Sequence, residues 1–262
     1  MDRRNGIVSY LTITFSVSWI CWLVVAFLTQ FTSIQLLSPV ALPLYSLGAA
    51  GPLIGACVVN KRSLNNVDFR RYIKNIFNLK HPIFAYVSMI GLAWGVCFFP
   101  VLVGATQQQA PIYTALFQLP VMIFFGGGLE EAGWRGYLLP QLQRKFSSFI
   151  ATCLVAFIWT FWHLPLWLVK GSGQDTIRFG GYMVMVFSFA FLLSFLWNKY
   201  GSIALCILLH AGFNSFTDVY PPSYNNLVNS TILLIICCTF FMATNYVLKK
   251  NAGEKTMTAP KG

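Results

Sequence analysis

The sequence predicts an all-α, polytopic membrane bundle of about eight transmembrane helices with both the N- and the C-terminus cytoplasmic. Three observations predict it. The 262-residue chain is 56% hydrophobic and only 10% charged, against about 25% charged residues in soluble domains. Its apolar residues gather into eight runs, 7–29, 37–59, 83–104, 119–139, 149–169, 179–197, 202–217 and 228–248, most of them close to the about 20 residues that a spanning helix needs. The basic residues are one-sided. With the N-terminus inside, one set of connections holds Arg3, Arg4, Lys61, Arg62, Arg70, Arg71, Lys74, Lys80, Arg144, Lys145, Lys199, Lys249, Lys250, Lys255 and Lys261, while the opposite set holds Lys170 and Arg178, and Arg135 lies inside a run. That is the positive-inside pattern. A net charge of +11 also raises the question of nucleic acid. Its distribution assigns it to a bilayer, and no nucleic-acid partner is expected. No polar stretch is long enough for a separate soluble unit, so residues 1–262 read as one integral-membrane domain, placed in the cell membrane.

The elements follow in order. The run 7–29 exceeds a secretory signal core and carries no small-x-small cleavage site, so it reads as a spanning helix. The second and third runs contain Gly51-x-x-x-Gly55 and Gly91-x-x-x-Gly95, a spacing that lets helices approach closely in lipid. Between them, Lys61 to His81 mixes six basic residues with Leu64, Val67, Phe69, Ile73, Ile76 and Phe77. This segment fits an amphipathic helix lying on an anionic leaflet. Pro120 suits a first turn and Pro140 a helix end. They frame a fourth helix over about residues 119–139 with Glu130 near its centre and a small-residue stripe at Gly128, Ala132 and Gly136. The seven cysteines all fall within the apolar runs and none forms a CxxC pair. They read as small buried hydrophobes, without disulfides or thiolate metal sites.

Ionisable groups in hydrocarbon are costly, and each one is a functional-site hypothesis. Glu130 and Glu131 lie in the fourth run, His163 in the fifth and His210 in the seventh. On a helix Glu131 and Arg135 are four apart and share a face, with the acid N-terminal as favoured. The pair neutralises both charges and reads as a supporting buttress. Glu130 is turned by about 100° from that face and has no local counter-ion, which leaves it free to act as a base. His163 stands in Trp159-Thr160-Phe161-Trp162-His163-Leu164-Pro165, and no other charge lies in its run. The surrounding aromatics read as packing and pocket lining. His210 and Asn214 are one helical turn apart and point the same way. His163 is the fifteenth residue of its run and His210 the ninth of a shorter one. At about 1.5 Å per residue both lie within several ångströms of the bilayer midplane. A carboxylate, two imidazoles and an amide at one depth suit hydrolysis. Glu130, helped by His163, would activate a water, and His210 with Asn214 would stabilise an oxyanion. Alternatively Glu130, His163 and His210 could hold Zn²⁺, although no HExxH arrangement supports this.

The Glu130-Glu131-x-x-x-Arg135, Trp159-x-x-x-His163 and His210-x-x-x-Asn214 motifs, in this order on successive apolar runs, resemble the CAAX-protease and bacteriocin-processing (CPBP, or Abi) family of intramembrane endopeptidases. The resemblance covers about residues 119–217. It implies an eight-helix fold with a cavity in the membrane, a water activated by Glu130 and His163, and an oxyanion site shaped by His210 and Asn214. It also implies a membrane-associated peptide or protein substrate. Eukaryotic members cleave prenylated C-terminal tripeptides, and prokaryotic members are linked to bacteriocin immunity or peptide maturation. The family usually has Phe four residues before the first His, where this chain has Trp159. The expectation is that this change touches packing and leaves the chemistry alone. Two other classes compete: a non-catalytic membrane partner of the same fold, and a proton-coupled transporter. The transporter ranks low because the chain lacks inverted repeats and paired broken helices.

Overall fold

The structure, a computed structural model, describes residues 3–222, 224 and 226–258, without the side chains of residues 3–5, 249 and 251–258. Lys261 therefore lies outside the described residues, as do the side chains of Arg3, Arg4, Lys249 and Lys255. The described chain is all-helical, with no strand. The helices are α1 (Arg3–Phe31), α2 (Ala41–Ala49), α3 (Gly51–Ser63), α4 (Asn66–Ile76), α5 (Ile83–Leu102) and α6 (Tyr113–Phe124). An irregular helical run, α7, follows over residues 128–143, and then come α8 (Ser148–Trp162), α9 (Phe179–Tyr200), α10 (Ile203–Thr217) and α11 (Leu227–Thr258). Among the described residues, five helical segments are long and apolar enough to cross a membrane: Gly6–Phe31, Ile83–Leu102, Ser148–Leu168, Phe179–Tyr200 and Leu227–Leu248. The bent pair α2–α3 makes a sixth if counted as one span.

The bend between α2 and α3 is 51°, and Pro52 explains it. Proline lacks an amide hydrogen, and its ring collides with the carbonyl four residues back, here that of Gly48. Ser18 of α1 takes up the freed group by donating from Oγ to the Gly48 carbonyl at 2.7 Å. Beside it the Trp22 indole N–H donates to the Tyr45 carbonyl at 3.0 Å. Polar side chains on α1 thus satisfy the backbone of a broken neighbour, as lipid-facing segments require. Gly51 and Gly55 bring α3 directly onto α1: a Cβ on Gly51 would stand 2.1 Å from Ser18 Oγ, and one on Gly55 2.5 Å from Thr14 Oγ1. The matching pair on α5 differs. Among the described residues a Cβ on Gly91 or Gly95 would meet nothing within 4 Å, so the second small-residue spacing marks no contact there.

The Lys61–His81 segment does form a helix, α4, capped by the Asn65 side chain accepting from the Asp68 amide at 2.8 Å. Its apolar face is partly taken by protein. Tyr72 and Ile76 are buried, and the Tyr72 hydroxyl donates to the Ala132 carbonyl at 2.8 Å. Val67 and Phe77 stay exposed, as do Arg70, Arg71 and Lys74.

The fourth apolar run is not one helix, which corrects the expectation of a continuous helix over 119–139. α6 ends at Phe124, with Pro120 inside it and not in its first turn. The chain then turns through Gly127, whose φ of +101° is a left-handed conformation that side-chain-bearing residues avoid. It re-enters as 3₁₀ (Gly128–Glu130), α (Glu131–Gly133), π (Trp134–Leu138) and α again (Leu139–Gln143). Pro140 sits at the start of that last stretch and does not end the helix. It has no amide to offer the carbonyl of Gly136, and the wide π turn lies just before it. Two glycines let α7 sit deep. A Cβ on Gly133 would lie 2.5 Å from the Pro52 carbonyl oxygen, and one on Gly136 2.8 Å from Ile203 Cδ1. The stripe expected at Gly128, Ala132 and Gly136 is therefore split, because the helical register changes along it.

α10 is the short inner helix. It starts after the left-handed Gly201 and is capped by Ser202, whose Oγ accepts from the Leu205 amide. Ile203, Ala204, Leu205, Cys206, Ile207, Leu209, His210, Ala211, Gly212 and Phe213 are all buried along it. Burial nearly all round marks an interior helix, and it fixes His210 deep in the bundle.

Candidate active site

Three elements supply the polar groups expected at the site. Glu130 and Glu131 come from the 3₁₀-to-α junction of α7, His163 from the C-terminal cap of α8, and His210 and Asn214 from α10. Glu130, His163, His210 and Asn214 all line one cavity of about 400 Å³, within the range of small-molecule sites. Trp22, Tyr45, Met185, Val186, Phe189 and Phe213 supply part of the remaining lining.

The two adjacent acids have different partners. Glu131 is fully buried. Arg135 Nη1 donates to both of its oxygens, at 3.0 and 2.9 Å, and His210 Nδ1 lies 2.8 Å from its Oε1. The buttress expected between Glu131 and Arg135 is thus present, and it extends to His210. The rest of the guanidinium, Nε and Nη2, has no hydrogen-bond partner among the described residues, and the group lies over the Trp159 ring at 4.8 Å from its centroid. Glu130 is 5% exposed. Its Oε2 accepts from the indole N–H of Trp159 at 2.9 Å and of Trp134 at 3.3 Å. Its Oε1 accepts no hydrogen bond among the described residues.

Each imidazole is oriented by its Nδ1. That of His163 lies 2.8 Å from the Trp159 carbonyl oxygen. A carbonyl only accepts, so His163 donates from Nδ1 and keeps the Nε2 lone pair. The local backbone explains why that carbonyl is available. The His163 amide bonds instead to Thr160 O at 3.2 Å, a tightened last turn that leaves the carbonyl at 159 to the side chain. The His163 ring is packed among Trp22, Trp159, Trp162 and Tyr182, with centroids 6.3, 5.9, 4.7 and 5.4 Å away. His210 Nδ1 faces a carboxylate, another acceptor, and so donates as well. Its Nε2 and Asn214 Nδ2 stand against the Gly127 turn, where a Cβ would come within 2.8 and 3.1 Å of them. Asn214 also donates from Nδ2 to the Gly126 carbonyl. Gly127 therefore serves two needs, a left-handed turn and a close backbone approach.

Among the described residues no group of three His, Cys, Asp or Glu side chains could hold a metal ion. The alternative set for Zn²⁺, Glu130 with His163 and His210, is not such a group. Three residues escaped the sequence reading: Trp134, Trp159 and Gly127. In the sequence Trp159 reads as packing and pocket lining, and Trp134 draws no reading of its own. A signal existed in spacing, since Trp134 follows Glu130 by four residues and Trp159 precedes His163 by four.

Similarity to known proteins covers the same stretch of chain. Residues 112–216, which carry α6, α7, α8, α9 and nearly all of α10, match the type II CAAX prenyl endopeptidase Rce1-like family. The chain is also 26% identical over 248 residues to the CAAX prenyl protease 2 of Methanococcus maripaludis, covering 87% of this chain and 89% of that protein. The matched stretch contains all three motifs and the polar groups expected around the cavity, and over it the chain is similar to the CAAX-protease and bacteriocin-processing family of membrane endopeptidases.

Proposed function

We propose that this protein is an intramembrane endopeptidase in which Glu130 and His163 activate a water and His210 and Asn214 hold the oxyanion. One observation carries the reading. Glu130 Oε1 and His163 Nε2 are acceptor atoms without a hydrogen bond among the described residues, and both side chains belong to residues that line the same cavity as His210 and Asn214. A water placed there gives one hydrogen bond to each acceptor and turns a lone pair to the scissile carbonyl carbon. As its oxygen bonds to that carbon, one proton passes to Glu130, and the carbonyl π electrons move onto the oxygen. The resulting oxyanion accepts from Asn214 Nδ2–H and from an Nε2–H of His210. With Nδ1–H given to Glu131, an Nε2–H makes His210 an imidazolium that shares the Glu131 charge with Arg135. Glu130 then hands its proton to the amide nitrogen as the C–N bond breaks. The second water proton stays on the new acid, so a carboxylic acid and an amine leave the site.

The substrate class is a membrane-associated peptide bearing a C-terminal CAAX sequence, prenylated on its cysteine. Support comes from the name of the archaeal relative and from the aromatic and aliphatic lining of the cavity. The one-sided basic residues support insertion of about eight segments into the cell membrane as one domain, with both termini cytoplasmic. The deciding experiment uses the purified full chain in liposomes with matched farnesylated and unmodified CAAX peptides, the products read by mass spectrometry. Release of the C-terminal tripeptide by the native protein and its loss in Glu130→Gln is the expected result. Absence of cleavage in every peptide, with Glu130→Ala still supporting the cellular phenotype, would assign the chain to a non-catalytic partner role.

A further inference from the structure

The family pattern usually carries Phe where this chain has Trp159, and the two side chains differ by one hydrogen-bond donor. We propose that Trp159 is a positioning residue that fixes both proton acceptors of the site at once. This rests on the hydrolytic reading above. Its indole N–H holds Glu130 Oε2 at 2.9 Å, and its backbone carbonyl holds His163 Nδ1 at 2.8 Å. Its ring stands edge-on to His210, centroids 5.2 Å apart, and lies beneath the Arg135 guanidinium at 4.8 Å. Only 3% of the residue is exposed, so the indole has little room to turn away.

The consequence is a choice of atom. Two indole donors converge on Oε2, and Trp134 is the more distant at 3.3 Å. Oε2 is therefore occupied, and the water proton goes to Oε1. Because a carboxylate is planar, holding Oε2 also sets the direction in which Oε1 points. His163 Nε2 is aimed by the same residue through its carbonyl. Phe at position 159 would keep the carbonyl and the ring packing and leave Glu130 with only the longer bond from Trp134. The Trp-for-Phe departure therefore reaches the chemistry, against the expectation that it touched packing alone.

The test compares native protein with Trp159→Phe and with a chain carrying β-(3-benzothienyl)alanine at position 159. That residue has the shape of Trp with sulfur in place of N–H. A hydrogen bond to a charged group supports a kcat loss of about tenfold in each variant. KM for the peptide and the melting temperature of the isostere chain should match the native values. A native kcat in the isostere chain would overturn the proposal, because shape alone would then suffice. A raised KM with native kcat would overturn it as well, since Trp159 would then only line the cavity. If Phe prevents folding, the isostere still decides. Failure of the hydrolytic reading shows separately, as turnover retained in Glu130→Gln.

Discussion

The cavity wall built by α7 and the end of α8 differs from the wall built by α10 and the Gly126–Gly127 turn. On the first, Glu130 and His163 each keep an acceptor atom without a hydrogen bond among the described residues, and their partners are a tryptophan side chain and a tryptophan carbonyl. On the second, His210 and Asn214 present nitrogens, steadied by a carboxylate and a glycine carbonyl. Each wall is held from behind by groups of the opposite hydrogen-bonding character. That arrangement leaves one acceptor atom unused, among the described residues, on each of Glu130 and His163. In a low-dielectric interior every such back-side bond is strong, and every loose one is costly.

This contrast can be broken from either side. The largest effect is expected on the acceptor wall. Glu130→Gln should lower kcat by about 10²–10⁴-fold, the usual contribution of a general base, and His163→Ala should fall in the same range. Thermal melts of both should show the fold intact, and near-native turnover in either would end the assignment. Next comes the donor wall. Asn214→Ala should lower kcat by about 10²–10³-fold with KM little changed, as removal of an oxyanion donor does. A change confined to KM would place Asn214 in binding only. Gly127→Ala should act more mildly, because it pushes the donors without removing them. Left-handed backbone strain of about 1–2 kcal/mol, added to contact with His210 Nε2, predicts a lower melting temperature and reduced kcat. The smallest effect is expected from metal removal. The donor set does not form a metal-binding group, so chelator-treated protein should cleave at its original rate. Activity lost on chelation and restored by Zn²⁺ would reverse that expectation.

Much of the site was legible because charge inside hydrocarbon is scarce. Glu130, Glu131, Arg135, His163 and His210 stand out against apolar runs, and the i,i+4 relation of Glu131 to Arg135 needs only one helical turn to be realised. What stayed hidden has physical causes. Hydropathy cannot see a backbone break between two apolar helices, so the 119–139 run looked continuous although Gly127 reverses it. The two glycine pairs show another blind spot. Gly51 and Gly55 meet Ser18 and Thr14 on α1, whereas Gly91 and Gly95 meet nothing among the described residues. Close packing depends on the facing helix, which spacing on one helix does not specify. Indole N–H groups were concealed by the apolar body of tryptophan, which dominates any hydropathy reading. The basic α4 segment was expected to spend its apolar face on lipid, yet Tyr72 and Ile76 spend part of it on the protein.

The Tyr72 hydroxyl is bonded to the backbone of Ala132, immediately after Glu131. A charged surface connection is thereby lashed to the segment that carries both acids. Its loop-like composition makes it look like a safe place for an affinity tag or a cross-linker. Strain introduced there would be transmitted through one tyrosine to the carboxylates, so labels for functional work belong elsewhere on the chain.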